Sequence, residues 1–210
     1  MIRTILALGA MLFLSGCANQ SFTESGFLEG YEHEPVPGFD DMVASVDREA
    51  LQRHERVFIA RPEWRVSEDV EVDAEAQEAL RAHLIESLTR EISQCMTVTE
   101  IEEPGILTLR TAVTDIDGVS RGLNLFTSIV LFGPVDNGGA TVEFSLEQTT
   151  DGVSIASGVG YEAGGIAEVT KSFSQYGHAR FALDEIARGI KASLEAAAPE
   201  GADADRVESG

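Results

Sequence analysis

The chain has 210 residues, 36 of them acidic and 15 basic, for a formal net charge of -21. That balance argues against nucleic acid as a partner, because phosphate recognition needs clustered Lys and Arg, and it disfavours docking of the folded domain on an anionic membrane. Hydrophobic residues make up 43% of the chain, enough for a core, so one domain with extended ends is expected.

The chain begins "MIRTILALGAMLFLSGC". Arg3 supplies a positive start, residues 5–14 an apolar run, and Ser15 and Gly16 small residues before a cut. This is the pattern of a secretory signal, and it is too short to span a membrane as a helix. Leu14, Ser15, Gly16 and Cys17 resemble the bacterial lipobox. The resemblance implies removal of residues 1–16 and attachment of a diacylglyceryl group to the Cys17 thiol. Acylation of the new amine with a fatty acid such as palmitate follows. Each buried methylene adds about 0.8 kcal/mol, so several chains make a lasting anchor. Ala18 stands where an inner-membrane retention signal has Asp. The expected location is therefore the cell outer membrane, lipid-anchored and facing the periplasm. The membrane is then one partner, through Cys17, and an envelope protein is a candidate second. Cys95 is left without a disulfide partner and is expected to be a buried thiol behaving as a small hydrophobe.

Residues 17–30 read as the lipidated cysteine and a tether. In "SGFLEGYEHEPVPGFDDM", Pro35 and Pro37 argue against a regular element. Its apolar residues Phe27, Leu28, Tyr31 and Phe39 either anchor the segment to the domain edge or belong to a loose linker. "RVFIARPEW" reads as a strand ended by Pro62. A helix follows from Asp73, its N-cap, with Leu80, Leu84, Ile85, Leu88 and Ile92 on one face. "MTVT" is a short strand. "ILTLRTAVTDI" and "ATVEFSLEQ" alternate cleanly, and Asp151-Gly152 turns the latter into a return strand through Val153, Ile155, Val159 and Tyr161. The alternation leaves one sheet face wet, an antiparallel habit. Gly158 and Gly160 mark a strand narrowed for close helix packing. Ser174 can cap a last helix carrying Ala179, Ala182, Leu183, Ile186, Ile190 and Leu194, stopped by Pro199. The expected order is β-α-β-β-β-β-α. It makes an α+β two-layer sandwich, with a mostly antiparallel sheet and two helices on one face. The domain occupies residues 31–198, and residues 199–210 form an acidic, disordered tail.

Four stretches could carry chemistry. Gly118-Val119-Ser120-Arg121-Gly122 spells the nucleophile elbow of α/β-hydrolases, with His178 downstream, but the antiparallel pattern lacks the repeated βα units of that fold. Asp115 and Asp117 hint at a calcium loop, yet Val119 holds the third ligand position and turn chemistry accounts for Asp117-Gly118. His33, His54, His83 and His178 show no metal-ligand spacing. Residues 123–135, "LNLFTSIVLFGPV", are too short to cross a bilayer as a helix. They are either buried core, the reading preferred for Ile129, or a contact surface presenting Leu123, Leu125, Phe126 and Ile129. No cofactor, metal or catalytic residue is assigned.

Three stretches carry a family resemblance: "SGFLEGY", "RVFIARPEW" and "VTDID...GLNLFTSIVLFGPVDNGGATVEFSLEQTTDG". They are similar to an uncharacterised group of proteobacterial lipoproteins, domain of unknown function 3313, over about residues 25–194. Asp136-Asn137-Gly138-Gly139 fits the family's turn, whereas "EQTTDGVS" departs from its hairpin pattern. The resemblance implies a periplasm-facing lipoprotein domain and brings no catalytic residue. The function expected is a non-enzymatic accessory or interaction domain. The alternatives are a small-ligand or glycan-binding lipoprotein using Tyr31 and Trp64, and a serine hydrolase using Ser120.

Overall fold

The computed structural model describes residues 25–30, 32–117, 139–163 and 176–197. The strands are β1 (Glu34–Val36), β2 (Phe39–Val46), β3 (Arg56–Ile59), β4 (Glu63–Trp64), β5 (Thr97–Thr99), β6 (Leu107–Asp117), β7 (Gly139–Gln148) and β8 (Ser154–Ala163). The helices are α1 (Arg48–Leu51), α2 (Ala74–Ile92) and α3 (Gly177–Ala196). The strands form one open eight-stranded sheet in the order β1-β2-β8-β7-β6-β3-β5, with β4 paired to β6 beyond the end of β3. The architecture is mixed helix and sheet, in keeping with the α+β class.

The order is richer than the sequence pattern suggested. β1 and β2 form a hairpin where Pro35 and Pro37 were expected to forbid one. Proline is tolerated because β1 lies at the sheet edge and pairs on one side only. Pro62 does not end its line of chain either. β3 stops at Ile59, Ala60 N–H donates to Leu109 O (3.0 Å), and β4 resumes on the same β6 edge. The sheet is less antiparallel than expected. β3 pairs parallel with both β5 and β6, because α2 carries the chain across between β3 and β5.

α2 forms where its signals lie. Asp73 Oδ1 accepts from Ala76 N–H (2.8 Å), Glu75 sits in the first turn and Arg90 in the last. Its stripe of Leu80, Leu84, Leu88 and Ile92 is buried, while Ile85 is half-buried. α3 starts after Tyr176, which makes no side-chain cap bond, and Ser174 lies outside the described residues. Its buried face holds Ala179, Ala182, Leu183, Ile186, Ile190 and Leu194. Both stripes join one core with Val57, Leu107, Leu109, Val142, Phe144 and Leu146. Full burial of each large side chain contributes about 1.5–3 kcal/mol against exposure.

The expected narrowing of β8 is present. A Cβ on Gly160 would meet Ile186 Cγ2 of α3 at 3.0 Å, and one on Gly158 would meet Phe144 Cε1 at 2.5 Å. The hairpin between β7 and β8 turns at Asp151 and Gly152, with Val153 N–H donating to Asp151 Oδ1 (3.1 Å). Cys95 is a correction: it is exposed, following the end of α2, with Sγ donating to Ile92 O (3.4 Å). Desolvation and the Glu195 carboxylate push its thiol up.

Candidate functional site: the polar sheet face

Leu107 and Leu109 of β6, and Val142, Phe144 and Leu146 of β7, belong to the helix-covered core. Alternation therefore turns Thr108 and Arg110, and Glu143, Ser145 and Glu147, to the other face. The sequence pattern made that face wet. In the structure Thr108, Glu143 and Ser145 are buried, Glu143 with 1% of its surface exposed. Ala112 and Val159 flank Glu143 in register, and both are buried yet stand apart from the main core, as does Leu28. A second, thinner layer lies here.

Residues 25–30, expected to belong to the tether, dock on this face. Gly26 has φ +73, a conformation that costs other residues, and Phe27 N–H donates to Ser25 Oγ (3.1 Å) across the turn. The turn sets the Phe27 ring against two guanidinium groups, 5.3 Å from Arg65 Cζ and 5.5 Å from Arg110 Cζ. Arg65 Nη1 also donates to Ser25 O (3.5 Å). Glu63 holds both arginines, accepting from Arg65 Nε (2.9 Å) and Arg110 Nη2 (2.7 Å). Burial opposes the charge on Glu63, but the two arginines outweigh it and keep its carboxyl below the usual range. Arg110 reaches Glu147 as well (3.3 Å). Farther along, His33 Nε2 lies 3.0 Å from Ser157 Oγ of β8. Residues 25–30 and His33 thus form a strap across the polar face.

The contact between Ser157 and His33 has the length of a nucleophile–base pair. Ser157, however, sits within β8 between Ser45 of β2 and Ser145 of β7, so neighbouring amides are used by the sheet ladders. An oxyanion hole needs free N–H donors aimed at one point, and a central strand does not offer them.

A second polar cluster joins the helices. Asp184 of α3 accepts from Ser87 Oγ and from Arg90 Nη2 (3.0 Å) of α2, and His83 Nε2 lies 3.2 Å away. Burial would raise the Asp184 carboxyl, but the hydrogen bonds from Ser87 and Arg90, with the Arg90 charge and the nearby His83 ring, hold it below the usual range. The cluster fastens α2 to α3.

Of the residues singled out in the sequence, Leu14, Ser15, Gly16, Cys17, Tyr31, Ser120, Leu123, Leu125, Phe126 and Ile129 lie outside the described residues. His178 is buried in the first turn of α3. Asp115 and Asp117 belong to β6, paired with Thr141 and Gly139, and not to a ligand loop. Among the described residues no group of three His, Cys, Asp or Glu is placed to hold a metal. Trp64 has the Arg81 guanidinium over its ring at 5.6 Å, which covers one stacking face. Sequence reasoning missed the clamp on Phe27. Its parts are far apart in the chain, and only the apolar residues of "SGFL" within a polar stretch signalled an anchor.

A family model described as a protein of unknown function (DUF3313) matches residues 24–190, close to the span of the resemblance seen in the sequence. No curated protein matches the chain. Among solved structures, a Xanthomonas campestris protein of the DUF330 family is similar at 12% identity and a TM-score of 0.44, covering 80% of this chain and 93% of that one. A PelC dodecamer from Paraburkholderia phytofirmans gives 13% identity and a TM-score of 0.38, covering 70% and 89%. The hypothetical protein CT253 from Chlamydia trachomatis gives 9% and 0.41, covering 69% and 96%.

Proposed function

The chain belongs to the DUF3313 family of proteins of unknown function, and from that footing we propose that it is a lipid-anchored, non-enzymatic interaction domain. It faces the periplasm from the outer membrane. The observation that carries the reading is the strap. Eight residue steps separate Cys17 from Ser25, where the chain is already fastened by Phe27 and Arg65. At about 3.3–3.6 Å per residue, an acylated Cys17 would keep the polar sheet face within about 30 Å of the bilayer surface. Such a short leash sets which side of the domain looks outward. The ladder-bound Ser157 supports the non-enzymatic part, as does the burial of His178. No helix among the described residues is long and apolar enough to cross a membrane; the anchor proposed from the sequence is Cys17.

Labelling cells with radioactive palmitate tests the anchor. The parent chain should take up label and fractionate with outer membrane. Cys17→Ser should remain an uncut, unlabelled precursor, because a hydroxyl is a poorer acyl acceptor than a thiol. Equal label on both chains would remove the lipoprotein reading.

A further inference from the structure

The two edges of the sheet are treated differently. Edge strands expose unpaired amides and carbonyls, and proteins blunt them with proline, bulges or charge. β1 carries Pro35 and a register shift between Pro35 and Val36. β5, at the other end, carries neither. Thr97 N–H donates to Glu55 O (2.8 Å), so Thr97 bonds inward to β3. By alternation the amide and carbonyl of Val98 face the open edge.

That edge is also a groove. An open depression of about 1060 Å³ runs between β5 and the flank of α2, and its lining includes Ile85, Thr89, Met96 and Val98. Val98 pairs with the fully buried Val57, so its side chain lies on the α2 side of the sheet. Ile101, just beyond β5, is 69% exposed. Backbone groups to pair with and an apolar slot beside them are the two requirements of strand addition. The charge at the rim selects the occupant. Glu55 and Glu100 stand at the groove, both exposed, and the ion pairs of the described residues include neither. A second copy of β5 would bring its own Glu55 and Glu100 against them, which is repulsive.

We propose that the β5 edge docks an extended, basic segment of a partner protein. The segment adds as a strand beside Thr97–Thr99, sets an apolar side chain under α2 and places Lys or Arg against Glu55 and Glu100. This deepens the interaction-domain reading and rests on it. The binding experiment is done in solution, so its failure leaves the anchor untouched, and failed palmitate labelling leaves this edge untouched.

The test uses the full chain in detergent and a fluorescent peptide of alternating valine and lysine, read by anisotropy. Saturable binding that weakens as salt rises is expected. Val98→Pro removes the outward amide without taking a bond from the β3 ladder, and should weaken binding about tenfold. Glu55→Lys combined with Glu100→Lys alters two exposed side chains and should transfer preference to a peptide of alternating valine and glutamate. Absence of saturable binding overturns the proposal. So does binding that ignores both the proline and the charge swap, or a parent dimer that Val98→Pro dissociates, which would make the occupant a second copy.

Discussion

Replacing Gly158 by alanine tests the tight seam between β2, β8 and the core. The new Cβ would lie 2.5 Å from Phe144 Cε1 and 2.9 Å from Cζ, and nearer still to the Val43 carbonyl oxygen. Cβ contacts under 3.0 Å essentially do not occur, so something must move. Phe144 is fully buried, so a shift of its ring is passed on to the core side chains around it. The Val43 carbonyl is backbone in the ladder, opposite Val159, and cannot rotate away alone. Overpacking of this kind costs about 1–3 kcal/mol, and the backbone clash argues for the upper half of that range. Alanine returns up to about 1 kcal/mol by restricting the unfolded chain. The net expectation is a loss of about 1–2 kcal/mol.

For a domain of this size, each kcal/mol lowers Tm by about 2–4 °C, so Gly158→Ala should lower it by about 2–8 °C. Thermal unfolding followed by circular dichroism at neutral pH measures it. Gly160→Ala is the internal comparison. The three atoms nearest its Cβ all belong to the Ile186 side chain, the first at 3.0 Å, and that side chain can give by a few tenths of an ångström. Its effect should be smaller. Adding Phe144→Leu to Gly158→Ala should recover only the ring part of the clash, since the carbonyl remains. A Tm for Gly158→Ala at or above the parent's would refute the close approach.

Three further expectations rest on separate observations. Desolvation and nearby Asp41 raise the Glu162 carboxyl, with Arg188 opposing; the stability tied to its proton is present below its unfolded pKa and lost as pH rises through the folded one. Glu162→Gln should therefore raise Tm slightly at pH 7, by about 1–2 °C after solvent screening, with the difference fading in acid. Asp184 has the opposite sign. Asp184→Asn should cost about 1–3 kcal/mol in a urea titration at pH 7, a gap that narrows below about pH 4 as the parent's carboxylate protonates. Phe27→Ala removes a ring held by two guanidinium groups, each worth about 0.5–1 kcal/mol at an exposed site. It should speed amide exchange at residues 25–30 while leaving α2 protected, and uniform exchange across both would show that the strap is not a separate unit.

What was legible in the sequence was local. Asp73 caps α2 because a short carboxylate before an apolar stripe is a local device. Asp151 and Gly152 turn the hairpin for the same reason, and the α3 stripe needs only helical spacing. The misses were pairings between distant segments. Pro35 looked like a breaker because nothing in "EPVPGF" says that β1 would be an edge. The parallel pairing of β3 was hidden because alternation reports which face is buried and not the direction of the neighbour. Glu143 looked exposed because its cover comes from elsewhere in the fold. Family membership was legible through quoted stretches, whereas the Arg65 and Arg110 clamp joins residues 38 and 83 positions from Phe27.

The two faces of the sheet divide the labour of the fold, and this bears on where a partner can act. Under α3 the helix-covered face is filled by Phe144, Ile186 and the close approaches at Gly158 and Gly160. The polar face is crossed by the strap, whose Phe27 and His33 occupy the groups a ligand would use. A binding event on the polar face, or under α3, must first displace part of the chain itself. At the β5 edge nothing among the described residues has to move: Val98 offers its backbone, and the apolar flank of α2 is already open beside it. Pairing there also lies at the far end of the sheet from β1 and β2, so a partner can load β5 without disturbing the hairpin that follows the strap.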